Sequence, residues 1–264
     1  MSKKKELSNE ELWEKMVRRD KSGKEFHLSW LRVHVSKPIS FLIIKTIRHT
    51  NITPIGISTF NLVLLLLTLY TLSVGTYPFL LLSFFIILFS MVLDQVDGDL
   101  ARVKEIKSRY GGWLDYLAAF VAEFIWMLGI SIGAYNQSIS SGLKFLFIQD
   151  ISTNIALIAG IFVVLEIFIF STSGAQFRLY LQSRGLTKSK KELEKATSNI
   201  KNKGVTKIIA NIISKAKRMN FLFLCIIFDQ LFLALIVYAL IFFIYIVSQF
   251  ISQREVLLKA GYYK

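Results

Sequence analysis

The hydrophobic positions of this chain fall into long runs, and the charged positions fall between them. Between Arg48 and Asp94 there is no Lys, Arg, Asp or Glu. A helix needs about 20 apolar residues to cross a bilayer, so this interval has room for two spans. The turn cluster Gly75-Thr76-Tyr77-Pro78 divides it. The pattern predicts a first span from Thr53 to Val74 and a second from Pro78 to Leu93. A third apolar segment runs from Gly112 to Tyr135, and a fourth from Thr153 to Phe170. From Asn220 to Gln253 the chain is apolar again, interrupted only by Asp229-Gln230. That stretch is too long for one crossing and short for two. It predicts a short fifth span up to Asp229, extended by the amphipathic stretch before it, and a sixth from Leu231, with a single tilted helix as the alternative. The expected fold class is an all-α integral membrane protein, its six transmembrane helices lying within residues 51–254.

Basic residues orient these runs. Of the 32 Lys and Arg, 12 lie in the first 50 residues, four in Gly98–Gly111, 12 in Ser171–Asn220 and three after Gln253. The opposite connections hold none around Gly75 and one, Lys144, in the third loop. By the positive-inside tendency both termini are cytoplasmic. A hydrophobic fraction of 53% with a net charge of +14 excludes a soluble domain of this length and a largely disordered chain. The single cysteine, Cys225, excludes an internal disulfide framework. Three histidines, His27, His34 and His49, argue against a histidine-built zinc site. Charge begins at Lys3 with no apolar core behind it, so the N-terminus does not read as a signal peptide. The basic residues track the cytoplasmic ends of the spans and form no continuous patch, which sets nucleic acid aside.

Residues 1–36 read as a polar, basic cytoplasmic segment. In Lys37–Thr50, Ile39, Leu42, Ile43 and Ile47 share one helical face, which predicts an interfacial helix over residues 37–50. Lys188–Arg218 reads as a basic, partly helical cytoplasmic loop, and residues 255–264 as a cytoplasmic tail. Both basic segments serve either topology and attraction to anionic lipid, or phosphate recognition in a substrate pocket.

The chemistry lies where the second span ends. Carboxylates at membrane depth are costly, so they mark functional sites by default. Asp94, Asp97, Gly98 and Ala101 follow i, i+3, i+4, i+7 spacing and share one helical face. Asp115 lies in the next helix, close enough in sequence for two antiparallel helices to bring it to Asp94 and Asp97. Three such carboxylates repel one another unless a cation neutralises them, and hard oxygen ligands select Mg²⁺, Mn²⁺ or Ca²⁺. The small Gly98 and Ala101 leave room for a ligand near the backbone, and Arg102 can hold a phosphate. Asp99 reads as a solvated helix-end residue.

At these residues the sequence resembles the CDP-alcohol phosphotransferases, whose signature is Asp-x2-Asp-Gly-x2-Ala-Arg-x8-Gly-x3-Asp-x3-Asp. Asp94, Asp97, Gly98, Ala101, Arg102, Gly111 and Asp115 match its spacing. Thr53-Pro54 is similar to the family's Thr-Pro-Asn entry to the first span, with Ile55 in place of Asn. The resemblance implies transfer of a phospho-alcohol group from a CDP-alcohol to an acceptor hydroxyl, with release of CMP. It implies Mg²⁺ or Mn²⁺ on Asp94, Asp97 and Asp115. It also implies nucleotide contacts from Asp94, Gly98, Ala101, Arg102, Ser108, Gly111 and Asp115. The expected donor is a lipid such as CDP-diacylglycerol or its ether analogue. The expected acceptor is a phosphorylated polyol such as inositol phosphate or glycerol phosphate, held by Arg178 and Arg184. A homodimer is implied as well, with Gly129 and Gly133 as a small-residue pair available for its contact.

One position departs. Ala119 stands where the signature has its last Asp, the family's general base. Alanine can neither ligate a metal nor accept a proton. Three readings account for it: an engineered loss of the base, a natural inactive or altered homologue, or replacement by another carboxylate such as Glu123. Binding is expected to survive better than turnover. The alternatives to a transferase are a non-catalytic CDP-lipid-binding protein and a transporter using Glu123, Glu166 and Asp229. No inverted repeat supports the transporter. Asp229 is expected at a turn in contact with water, and Glu166 paired to a polar group in the bundle.

Overall fold

The computed structural model describes residues 8–16, 32–106, 108–140, 143–145, 148–151, 153–183 and 215–259. These are almost entirely helical. The first helix, α1 (Asn9–Met16), lies in the segment read as merely polar and basic. Its start has a signal that the charge pattern hides. The Ser8 amide donates to Glu11 Oε2 at 2.8 Å, and the Glu11 amide donates to Ser8 Oγ at 3.1 Å. That reciprocal capping box satisfies two of the amides a helix start leaves open.

A π-helical turn, Arg32–Ser36, leads into α2 (Lys37–Ile47), with Pro38 in its first turn. Then come α3 (Pro54–Val74), α4 (Tyr77–Val103) and α5 (Arg109–Ser140). Thr53 Oγ1 accepts the Gly56 amide at 3.1 Å and caps α3. The divide at Gly75 is real, and Gly75 takes φ 76° there. The second helix does not stop at Leu93. It runs on to Val103, so Asp94 through Arg102 are helical. The loop around Lys144 contains a short antiparallel pair, β1 (Leu143–Phe145) and β2 (Ile148–Ile151). After it come α6 (Thr153–Ser183), α7 (Lys215–Ile227) and α8 (Leu231–Lys259).

The break before α8 corrects the single-tilted-helix alternative. Asp229 adopts φ 55°, the Gln230 amide bonds Cys225 O at 2.7 Å, and the Asp229 amide bonds Ile226 O at 3.2 Å. This left-handed cap closes α7 before α8 begins. Glu105, at φ 58°, ends α4 in the same way, with amide bonds from Ile106 to Ala101 O and from Glu105 to Arg102 O.

Three helices are long and apolar enough to cross a membrane: α3, α4 and Leu231–Glu255 of α8. A shorter apolar stretch, Thr153–Ile169, lies in α6. On α3 the side chains of Phe60, Val63, Leu66, Leu67 and Tyr70 are exposed. Apolar surface on that scale is unfavourable against water and suits lipid. The chain is therefore that of a membrane protein.

The chain divides into two compact units, Met1–Thr71 with Leu82–Ile125, and Leu72–Leu81 with Trp126–Lys264. The first is built on a core of Leu12 and Met16 from α1, Ile44 from α2, Ile57 from α3, and Val92, Leu93, Val96 and Leu100 from α4. Ile43 and Ile47 pack on it, while Ile39 and Leu42 of the same helix face outward. In the second unit, Gly133 sits against the turn at Gly75. A methyl on Gly133 would lie 2.2 Å from Leu72 O, and one on Gly75 2.3 Å from Gly133 O. Neither position has room for a side chain, so Gly133 serves packing within the chain. Asp229 sits at its turn as expected and accepts a bond from Gln137 Nε2 at 2.7 Å.

Candidate functional site

The C-terminal three turns of α4 carry the site, all of it within the first unit. Asp97 is 8% exposed, turned inward by the helical spacing that also buries Leu93 and Leu100. Ser58 of α3 donates its hydroxyl to Asp97 Oδ2 at 2.6 Å. Asp94, one turn earlier and half-buried, and Asp115, exposed near the start of α5, both act electrostatically on the Asp97 carboxylate. Thus α4 and α5 do bring the three signature aspartates into one neighbourhood.

Among the described residues, no group of three His, Cys, Asp or Glu side chains is gathered tightly enough to hold a metal ion. In chemistry, though not in spacing, the three carboxylates are the oxygen donors that a hard divalent cation takes. They are of like charge, and the innermost of them is held by a neutral hydroxyl. A cation among them would relieve their mutual repulsion.

Ala119 lies on α5 one turn beyond Asp115. Glu123 is two turns beyond Asp115, about 12 Å along the helix axis at the standard rise.

Asp99 corrects the sequence reading. It is fully buried, not solvated. Its Oδ1 accepts from Lys37 Nζ at 2.9 Å, from Gln95 Nε2 at 2.9 Å and, closely, from Arg102 Nη2. Its Oδ2 accepts from Ser40 Oγ at 2.8 Å. Lys37 Nζ also donates to the Met16 carbonyl at 2.6 Å, which ties α1 to the same point. A buried carboxylate persists when cations and donors surround it, as here. The Gln95 and Arg102 partners were legible as i−4 and i+3 neighbours on a helix. Lys37, Ser40 and Ser58 were not, because each is far from its partner in sequence.

Arg102 is thus engaged within the protein. Its guanidinium lies over Gly98, where a methyl would sit 3.7 Å from Nη1. Its buried Nε has no hydrogen-bond partner among the described residues. Gly98 and Ala101 are half-buried beside it. Ser108 Oγ accepts the Gly111 amide at 3.0 Å, so Ser108 caps α5 and Gly111 lies in its first turn. Arg178 lies on α6, and Arg184 falls outside the described residues. Glu166 is 3% exposed, and neither of its carboxylate oxygens finds a partner among the described residues, contrary to the pairing expected for it.

A scan against protein-family models finds no match to the chain, and no curated protein matches it.

Proposed function

We propose that the chain has the architecture of a membrane-embedded CDP-alcohol phosphotransferase of phospholipid biosynthesis, and that Ala119 leaves it able to bind but poor at turnover. The observation that carries this reading is the Asp94–Asp97–Asp115 neighbourhood at the end of an apolar helix, with Gly98, Ala101 and Arg102 beside it. In this reading α5, α6 and α7 join α3, α4 and α8 as spans. The helix α2 then lies in the interface with Ile39 and Leu42 toward lipid, and the site and both termini are cytoplasmic.

Asp94, Asp97 and Asp115 would hold Mg²⁺ or Mn²⁺. When bound, the ion offsets charge on the diphosphate and on the departing CMP. Ser58 keeps the Asp97 carboxylate turned toward its neighbours. Gly98 and Ala101, which carry no bulky side chain, would leave room for the nucleotide beside the Arg102 guanidinium. The free Nε of Arg102 supplies a donor for a phosphate oxygen. In the transfer, the acceptor oxygen forms a bond to the phosphorus bearing the donor alcohol, and the bond from that phosphorus to CMP breaks. The hydroxyl proton must leave, and Ala119 offers no base to take it. The acceptor-phosphate roles of Arg178 and Arg184, the lipid donor and the homodimer rest on the resemblance alone.

Ala119 also favours a second reading, a CDP-lipid-binding protein without catalysis. One experiment separates them. Ala119→Asp protein in lipid nanodiscs is incubated with CDP-diacylglycerol, Mn²⁺ or Mg²⁺, and a panel of polyol phosphates, and CMP is measured. Metal-dependent CMP release supports the transferase. Tight CDP binding with no release from any acceptor supports the binding protein. If neither this variant nor the unsubstituted chain binds CDP, both readings fail.

A further inference from the structure

Asp99 occupies a variable position of the signature, yet it is the most enclosed carboxylate on α4. Three donors converge on a single oxygen, Oδ1: Lys37 Nζ, Gln95 Nε2 and Arg102 Nη2. Two of them are cations, from different helices, so one carboxylate answers two positive charges. Lys37 in turn holds the Met16 carbonyl, and its ammonium lies 5.9 Å from the centroid of the Trp13 ring. The docked α1–α2 segment and the guanidinium over Gly98 therefore draw on the same oxygen.

We infer that Asp99 is a positioning residue that shares its carboxylate between Lys37 and Arg102, so that docking of the α1–α2 segment sets how firmly Arg102 is held at the nucleotide site. The nucleotide half rests on the function proposed above. The Arg102 half does not. With Lys37 removed, Asp99 has one cation left and grips Arg102 more tightly. With the Asp99 charge removed, Arg102 is released.

The test uses the full chain in nanodiscs and phenylglyoxal, a guanidinium-selective dicarbonyl, with labelling of Arg102 followed by mass spectrometry. Asp99→Asn is expected to speed labelling severalfold, and Lys37→Met to slow it about twofold. A merely structural role, in which either change loosens the α1–α2 segment, would speed both, and that result overturns the inference. So does an unchanged rate in either variant. Should Asp99→Asn fail to fold, the sign of the Lys37→Met effect decides alone.

A double-substitution cycle on Mn²⁺-dependent CDP affinity tests the nucleotide half. Asp99→Asn should weaken binding about tenfold, in the range typical of outer-shell partners. It should add nothing once Arg102→Gln is present. Effects that multiply, or a lowered melting temperature with unchanged affinity, overturn it. If the unsubstituted chain binds no CDP, the proposed function fails, and the labelling result still judges Asp99.

Discussion

Asp97 and Asp99 stand two residues apart on α4, both buried, and their surroundings are opposite. Asp99 is met by two cations, an amide and a hydroxyl, all from the protein. Asp97 is met by the Ser58 hydroxyl, by the Gly98 backbone amide and by the fields of two further aspartates. The periodicity of the helix puts them on different faces. One face closes a polar network that joins α1, α2 and α4. The other gathers negative charge that the protein itself leaves uncompensated by any ion pair at Asp97 among the described residues. A fold that needed only stability would treat both alike. The difference sets Asp99, whose charge the protein answers with two cations, apart from Asp97, which has no ion pair among the described residues.

The largest expected effect comes from the closed face. Asp99→Ala takes from buried Lys37 and from Arg102 the carboxylate that both pair with, and removing one member of a buried pair costs about 3–5 kcal/mol. Thermal or denaturant unfolding in a mild detergent measures it. A loss under about 1 kcal/mol would mean the network is not closed in solution, and the contrast between faces would collapse. Next comes the open face. Asp97→Asn keeps an oxygen for the Ser58 hydroxyl and removes a repelling charge, so stability should stay within about 1 kcal/mol of the parent. Mn²⁺-dependent CDP affinity, measured by titration calorimetry, should fall at least tenfold, about 1.4 kcal/mol. If Asp97→Asn destabilises the fold as severely as Asp99→Ala and leaves binding intact, the two assignments are reversed.

Much of this was legible in advance, and the misses have physical reasons. The turn at Gly75 and the helix break at Asp229 could be read, because turn residues interrupting apolar runs leave the chain few other conformations there. The Asp94–Asp97–Asp115 neighbourhood could be read because a helical face and one short connection determine it. The fate of Asp99 could not. Whether a helix-end carboxylate meets water or a lysine depends on where Lys37 folds, and that partner is 62 residues away. The helix α1 was hidden for a different reason. Half of its eight residues are charged, and only Leu12 and Met16 are buried, so hydrophobic periodicity is too sparse to announce it. The capping box Ser8–Glu11 was the available signal.

A smaller effect tests how the open face is held. Ser58→Ala removes the donor to Asp97 Oδ2 and should cost about 1 kcal/mol in unfolding, the usual net worth of such a bond. It should also weaken Mn²⁺-dependent CDP binding, because the carboxylate is no longer held in one rotamer. A stability loss with unchanged affinity would show that Ser58 serves the fold and does not orient Asp97.

The smallest effect concerns a third acid at the same helix end. Glu105 is exposed and pairs with Lys15 of α1 at 2.6 Å. Both partners face solvent, so screening and side-chain entropy leave the pair only a few tenths of a kcal/mol. Glu105 also occupies the left-handed position that closes α4, at φ 58°, where a side chain is disfavoured and glycine is not. The two terms oppose one another, and the backbone term is the larger. Glu105→Gly should therefore raise stability by about 0.5 kcal/mol, while Lys15→Ala should leave it within a few tenths. Should Lys15→Ala instead cost as much as Asp99→Ala, α1 would be held by its surface pair and not by Lys37 beneath it. The buried network would then lose its claim to couple α1 to Arg102.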